Sequence, residues 1–281
     1  LDSSVLLRYG NQQGAKRGYN PKKRGRPSHH PLIAFLGSGY VVNVWNRSGN
    51  TGTGQGAVDF FRQTRLALGK GFCVNRVLCD SGFYVIDFIK YLESEQYNYI
   101  IAVPISWAIQ REILGVKNWK KISTGIEVGE FEFEHMDRKW THPRRYVVVR
   151  QSIHKRPNAL GKQPSLFKDL EDWNQYRISV MITNDLDSTP EEVWRQYRPR
   201  ANDENVIKDL KEGYGFETFN LKNFWATEAV LTMIGLVFHN LIVYINKTIL
   251  NPNRPQQRLK TLRYNYFIIP GLLGSGGGKN I

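Results

Sequence analysis

Cysteine and methionine are scarce in this sequence: only two cysteines and three methionines occur among 281 residues. Cys73 and Cys79 lie in or beside an apolar, strand-like run, without Cys-x-x-Cys spacing and without a neighbouring pair of histidines. This pattern argues against a structural zinc site and against a disulfide-stabilised scaffold. It is typical of a protein from a reduced, cytosolic compartment.

Long hydrophobic runs are also scarce, and no signal peptide is visible at the N-terminus. The most apolar stretch, Ala229 to Ile245, is short for a membrane span and carries His239 and Asn240 near its centre. We interpret it as a buried helix and expect no membrane partner. The chain starts at Leu1 instead of methionine, which suggests a fragment that lacks an upstream segment.

Acidic residues are outnumbered: 39 lysines and arginines face 25 aspartates and glutamates, for a net charge of +14 and a pI near 9.7. Such an excess favours a polyanionic partner, most simply nucleic acid. Binding to anionic membranes and secretion remain the alternatives that charge alone leaves open.

The order of predicted elements indicates a mixed α/β protein. Strands are predicted at Leu1–Tyr9, Leu32–Leu36, Tyr40–Trp45, Val74–Cys79 and Tyr97–Val103, and helices at Ala57–Leu68 and Tyr84–Glu95. The first three strands suggest an antiparallel meander. Further strand-like runs follow at Ile126–Phe133, Arg145–Gln151 and Arg177–Thr183.

The last third of the chain is predicted to be helical. The run Ser188-Thr189-Pro190-Glu191-Glu192 combines a cap residue, a proline at the first helical position and acids in the first turn. Gly213 and Gly215 would end the helix that begins there. A long helix from about Lys222 to Leu250 would follow, and the glycine-rich end of the chain is expected to be disordered.

One helical stripe in the run YRPRANDENVIKDLK stands out. At about 100° per residue, Tyr197, Arg200, Glu204 and Lys211 project at about 0°, −60°, −20° and −40°, and Lys208 falls on the same stripe. A carboxylate among cations and a phenol suits a site that holds a metal ion and a phosphate together. A solvated helix face with ion pairs such as Arg200 with Glu204 is the alternative.

The Y-(2)-R-(3)-E-(6)-K spacing of that stripe resembles the signature of insertion-sequence DDE transposases. Two upstream aspartates at strand ends also resemble the acidic motifs of that family: Asp2 in LDSSVLLRYG and Asp80 in VNRVLCDSGFY. The resemblance extends from the first residue to about Leu250. From the residues alone, Asp2 could equally be a solvated terminus or a cap, and Asp80 a turn residue.

The resemblance implies an RNase H-like mixed sheet flanked by helices, with a β-rich insertion before the last catalytic helix. We accordingly divide the chain into a first part of the core at 1–104, the insertion at 105–185, the C-terminal core helices at 186–250 and an extension at 251–281.

The resemblance also implies the chemistry, which is metal-dependent cleavage of transposon ends and their transfer into target DNA. Asp2, Asp80 and Glu204 would be the catalytic residues and would hold two Mg²⁺ or Mn²⁺ ions, with Asp80 bridging them. Hard carboxylate oxygens suit such ions. Tyr197, Arg200 and Lys211 would contact phosphates, although Pro199 within the motif is expected to kink the helix and displace Tyr197.

Further DNA contacts are predicted outside the stripe. The run Lys22-Lys23-Arg24-Gly25-Arg26-Pro27 resembles an AT-hook core, but a general phosphate-binding loop is the preferred interpretation. Lys208 and Trp140 are also candidates, Trp140 because family members can stack an extruded base on an aromatic side chain of the insertion. Packing in the interior is the alternative for Trp140.

The family implies a homodimer on DNA and a location in the bacterial cytosol and nucleoid. Two other functions stay open at this stage: a catalytically dead, DNA-binding relic of a transposase, and a hydrolytic nuclease of the same fold.

Overall fold

In the computed structural model the body of the protein consists of one mixed sheet, one antiparallel sheet and the helices that flank them. The structure describes residues 1–20, 23–136, 139–153, 175–250, 257–268, 275–276 and 279–280. The strands are β1 Asp2–Ser3, β2 Leu6–Leu7, β3 Lys16–Arg17, β4 Pro27–His29, β5 Leu32–Phe35, β6 Val41–Trp45, β7 Val77–Cys79, β8 Tyr99–Val103, β9 Lys120–Ser123, β10 Ile126–Phe133, β11 Arg144–Ser152, β12 Tyr176–Thr183, β13 Ser275–Gly276 and β14 Lys279–Asn280.

The largest sheet has six strands in the order β7-β8-β12-β11-β10-β9. Its β7–β8 pair is parallel and its other pairs are antiparallel. A second, antiparallel sheet has the order β1-β5-β6, and a third, small sheet has the order β2-β4-β3. The fold class is thereby confirmed: a mixed α/β protein with a mixed sheet flanked by helices.

Helices cover the sheets and are interrupted at several points by tighter or wider turns. The α-helices are α1 Ala57–Leu68, α2 Ile86–Ser94, α3 Trp107–Gly115, α4 Pro190–Tyr197, α5 Ala201–Lys208, α6 Phe224–Thr232, α7 Asn240–Ile245 and α8 Leu259–Leu262. A 3₁₀ turn at Arg198–Arg200 joins α4 to α5, and π-helical turns follow α5 and α6, at Asp209–Gly213 and Met233–His239.

The main core lies between the first two sheets and the helices α1 and α2. Alternating residues of β8 and β12 face it, including Ile101 and Ile182, and α1 contributes Phe60 and Phe61. These side chains are almost completely buried. Burial of this apolar area is the dominant force that holds the strand ends in place.

Most predicted elements are found close to their predicted bounds. Helix α1 begins and ends where predicted, and β10 matches its predicted range. The predicted first strand at Leu1–Tyr9 is wrong in one respect, since it forms two short strands, β1 and β2, that belong to different sheets. The predicted meander exists as β1-β5-β6, but β2, β3 and β4 lie between β1 and β5 in the chain.

The strands of the predicted insertion do not stand apart from the core. Strand β12 pairs with β8 over four residue pairs, from Val180↔Val103 to Thr183↔Ile100. The insertion therefore extends the core sheet across the proposed boundary at 104, and the division into domains stays a prediction. At the end of the chain β13 pairs with β14, and the rest of the expected disordered tail lies outside the described residues.

The helical segment from Phe224 to Leu250 has the length and apolar composition of a membrane span, and only 28% of its most apolar part is buried, so the interpretation as a buried helix is wrong for much of its surface. It is docked on β6. Gly235 packs there, where a Cβ atom would lie 3.1 Å from side chains of Val41 and Val44. The Asn240 amide accepts a hydrogen bond from Val41 N and donates one to Val41 O, both at 2.8 Å.

Candidate active site

Asp2 lies at the start of β1, next to the middle of the second sheet. Its Cα pairs with that of Ile33 on β5, and its side chain is buried. Oδ1 accepts a hydrogen bond from Ser3 N at 2.7 Å, and Oδ2 accepts one from Arg200 Nη2 at 2.6 Å. Burial raises the pKa of Asp2 to about 6, against the opposing effect of the Arg200 charge.

Asp80 follows β7 directly and starts the 3₁₀ turn Ser81–Phe83. Its Oδ1 accepts a hydrogen bond from Gly82 N at 2.6 Å, so the carboxylate caps that turn. The predicted turn role of Asp80 is thus real, and it leaves Oδ2 free to face Arg200. Strand β7 is in register with β8, with Cys79 opposite Ile101, which fixes where this strand ends.

Arg200 joins the two aspartates. Its Nη2 lies 2.6 Å from Asp2 Oδ2 and 3.7 Å from Asp80 Oδ2. Burial opposes the charge of the guanidinium, but the nearby Asp2, Tyr197 and Asp80 raise its pKa above the ordinary value. The buried Nε atom of Arg200 has no hydrogen-bond partner among the described residues.

Two more residues of the predicted stripe reach the chain beside the aspartates. Tyr197 donates a hydrogen bond from its hydroxyl to the carbonyl oxygen of Cys79 at 3.0 Å, immediately before Asp80. Lys211 donates to Val5 O at 2.7 Å and pairs with Glu217 at 2.8 Å. The expected displacement of Tyr197 by Pro199 therefore does not remove it from the site.

Glu204, by contrast, is exposed on α5, as is Lys208. Pro199 lies in the 3₁₀ turn Arg198–Arg200, which interrupts the helix between Tyr197 and Glu204. The π turn at Asp209–Gly213 carries Lys211, whose Nζ reaches Val5 O.

The neighbouring Asp203 was not predicted as a site residue. Asp203 lines a cavity of about 420 Å³, together with Leu1 and Arg200. Burial raises the pKa of its carboxyl group. That cavity is not lined by Asp80 or Lys211. Asp203 therefore faces a different side of Arg200.

The pair of Asp2 and Asp80 fits a hard divalent cation, because both carboxylates are oxygen donors that already share one cationic group. Over the described part of the chain, no three His, Cys, Asp or Glu side chains are grouped closely enough to hold a metal ion. The predicted third ligand, Glu204, is thus not assembled with the pair here, and its role stays a prediction.

A cavity of about 570 Å³ opens beside Asp80. Its lining residues come from the first strands, the Asp80 turn and the Lys211 turn, and include Ser3, His30, Thr53, Asp80 and Lys211. The size is within the usual range of small-ligand clefts. Ser3, His30 and Thr53 were not predicted as site residues. The His29-His30 pair and the glycine-rich run Asn50–Gly56 were the features of the sequence that could have indicated them.

The basic loop is exposed at its described positions, Lys23, Arg24 and Arg26, while Lys22 lies outside the described residues. Lys23 Nζ donates to the Tyr9 hydroxyl at 2.9 Å, and both Lys23 and Arg26 lie over the Tyr9 ring, 5.4 Å from its centroid. The loop is therefore braced against Tyr9 and presents its cations to solvent.

Trp140 is buried. Its ring lies 4.4 Å from the His135 ring and 5.4 Å from the Tyr84 ring, with the Arg144 guanidinium 5.1 Å from its centroid. These are the contacts of a side chain that packs in the interior. Base stacking by Trp140 stays a prediction.

Comparisons with known proteins identify the family to which this chain belongs. Among solved structures, a match is found to the cryo-EM structure of the piggyBac transposase synaptic complex with hairpin DNA, at 14% identity and a TM-score of 0.48. The alignment covers 94% of this chain and 50% of the piggyBac chain, so this chain spans about half the length of that protein. No curated protein matched. The family model described as "Transposase DDE domain group 1" matches residues 1–275, and the chain belongs to this family of DDE transposase domains.

Proposed function

We propose that this chain cuts transposon ends and joins them to target DNA. The observation that carries the proposal is the Asp2–Asp80 pair at two strand ends, bridged by Arg200 from a distant helix. Membership of the transposase family and the excess of positive charge support DNA as the partner.

Asp2 and Asp80 would hold the divalent ions, Mg²⁺ or Mn²⁺, and Glu204 would complete the set. When bound, two such ions activate the attacking oxygen and offset the charge that develops on the phosphate. Arg200 would bind a phosphate oxygen when a metal ion takes over the charge of Asp2 and Asp80 that it now faces, since a guanidinium suits phosphate binding. Lys211, next to the Asp80 cavity, would act as a second cation.

The partners would be transposon ends and target DNA, bound by a homodimer, because joining requires that two DNA ends be held together. We propose a location in the cytosol and nucleoid, where that DNA is found.

The test is a joining assay with the purified chain, Mn²⁺, a supercoiled plasmid and a labelled oligonucleotide carrying the DNA that flanks the coding sequence. We expect transfer of label to the plasmid, and a loss of at least about 10³-fold for Asp80→Asn with DNA binding retained. Nicked plasmid without transfer of label would instead indicate a hydrolytic nuclease.

A second candidate function, a DNA-binding protein without catalytic activity, is favoured by the exposed position of Glu204. In that case the wild-type chain binds the oligonucleotide but produces neither nicks nor joined products, and Asp80→Asn has no activity to remove.

A further inference from the structure

A series of hydrogen bonds beside the Asp80 cavity links Thr51, His30, Ser3 and Thr53. His30 Nδ1 lies 2.9 Å from the carbonyl oxygen of Thr51, and Nε2 lies 3.1 Å from Ser3 Oγ. Ser3 Oγ lies 3.2 Å from Thr53 Oγ1. Ser3, His30 and Thr53 line the cavity beside Asp80, but the proposed function gives none of their side chains a role.

A carbonyl oxygen only accepts hydrogen bonds, so Nδ1 of His30 carries a proton. In a neutral ring Nε2 is then an acceptor. Ser3 then donates its hydroxyl proton to Nε2 and accepts the proton of Thr53. Burial lowers the pKa of His30, in agreement with a neutral ring.

Two members of this hydrogen-bonded series, Ser3 and Thr53, each lead to one aspartate of the pair. Ser3 is the residue whose backbone N donates to Asp2 Oδ1, at 2.7 Å. Thr53 packs against Gly82, where a Cβ atom would lie 2.5 Å from Thr53 Cβ. Gly82 N in turn donates to Asp80 Oδ1 at 2.6 Å.

We propose that His30 is a positioning residue that sets the spacing of Asp2 and Asp80 and thereby the affinity of the site for a divalent cation. Its ring holds Ser3 and the glycine-rich loop in one arrangement, and these carry Asp2 and press on the Asp80 turn. The inference rests on the proposed metal-dependent function. Groups that orient metal ligands typically change metal affinity by about 10- to 100-fold when removed.

The preceding residue, His29, provides a matched control, because its ring contacts a different set of partners. His29 is as buried as His30 and also has two partners: its Nδ1 accepts from Arg8 Nε at 3.1 Å, and its Nε2 donates to Gln13 O at 2.9 Å. None of these partners carries or touches Asp2 or Asp80.

The experiment is a calorimetric titration of Mn²⁺ into the full chain without DNA, for the wild type, His30→Phe, His29→Phe and Ser3→Ala. We expect a Kd for Mn²⁺ about 10- to 100-fold higher in His30→Phe and Ser3→Ala and unchanged in His29→Phe. Thermal melts of the same samples separate folding from binding, and Ser3→Ala carries the test where His30→Phe does not fold.

An unchanged Kd in Ser3→Ala and in folded His30→Phe would overturn the role of His30. An equal rise in His29→Phe would also overturn it, since the effect would then follow general destabilisation. If Asp80→Asn binds Mn²⁺ as tightly as the wild type, the metal site itself is wrong, and the failure lies with the proposed function.

Discussion

The side chain of Arg200 explains why two acidic residues are stable so close together in this chain. Asp2 is buried, with a pKa raised to about 6, and Asp80 lies near it, which disfavours two negative charges. One guanidinium nitrogen faces both carboxylates at 2.6 and 3.7 Å. A divalent cation would compensate the same charges, so Arg200 must lose part of this interaction when a metal binds.

The third acid is the least settled residue of the site. We expect Glu204→Gln to abolish joining activity while DNA binding is retained, because a neutral amide is a poor ligand for Mg²⁺. Asp203→Asn should retain activity, since Asp203 faces the cavity that Asp80 does not line. The joining assay decides between Glu204 and Asp203. Loss of activity in Asp203→Asn alone would make Asp203 the third metal-binding acid.

At the scale of elements, the glycine-rich loop before α1 is held tightly against the Asp80 turn. The buried Arg47 donates to the carbonyl oxygens of Gly52, Thr53 and Gln55, at 3.0, 3.2 and 2.7 Å, and its Nε donates to His30 O. Arg47 therefore holds the loop in place, and Thr53 of the loop contacts Gly82 of the Asp80 turn.

Two glycines of this loop should respond oppositely to alanine. At Gly54 a Cβ atom would lie 2.2 Å from Val85 Cγ2, whereas at Gly52 nothing lies within 4 Å. We expect Gly54→Ala to lower the free energy of unfolding by about 1–3 kcal/mol through overpacking. Gly52→Ala should be neutral or slightly stabilising. Urea denaturation measures both, and equal effects would show that the loop is not pressed against the turn.

The whole molecule carries a net charge of +14, and its affinity for DNA should depend on salt accordingly. We expect Arg24→Ala in the basic loop to reduce the slope of log K against log salt concentration by about 1, because one fewer phosphate is neutralised. Lys70→Ala at the end of α1 is the control and should leave the slope unchanged. Fluorescence anisotropy with a random duplex measures it; a slope unchanged by Arg24→Ala would place the loop away from DNA.

The stability of the whole chain should fall as the pH falls from about 7.5 to 6. Burial lowers the pKa of His29, His30 and His239, so the unfolded chain takes up protons near pH 6.5 that the folded chain does not. The loss should reach about 2 kcal/mol. Asp2 acts oppositely: with a folded pKa of about 6 it is half protonated at pH 6, and its contribution grows as the pH falls further.

Thermal or urea unfolding across that pH range checks this expectation. His239→Gln keeps a donor for Gly39 O, which His239 Nε2 contacts at 3.0 Å, but it cannot be protonated. This variant should therefore lose about a third of the pH dependence. A wild-type stability that is constant between pH 7.5 and 6 would contradict the assignment of neutral, buried histidines.

Sequence periodicity alone determined the elements whose patterns are local, such as α1 and β10, because apolar spacing and caps act within one turn or strand. Two aspartates at strand ends and the spacing of Tyr197, Arg200 and Lys211 likewise predicted residues that lie together. Only the tertiary structure decided that Glu204 is exposed, because exposure depends on which elements pack against α5, and helical spacing does not encode that. The tertiary structure also brought His30 next to Ser3, which lies 27 residues away in the sequence. The pairing of β1 with β5 places them there, and no local pattern encodes that pairing.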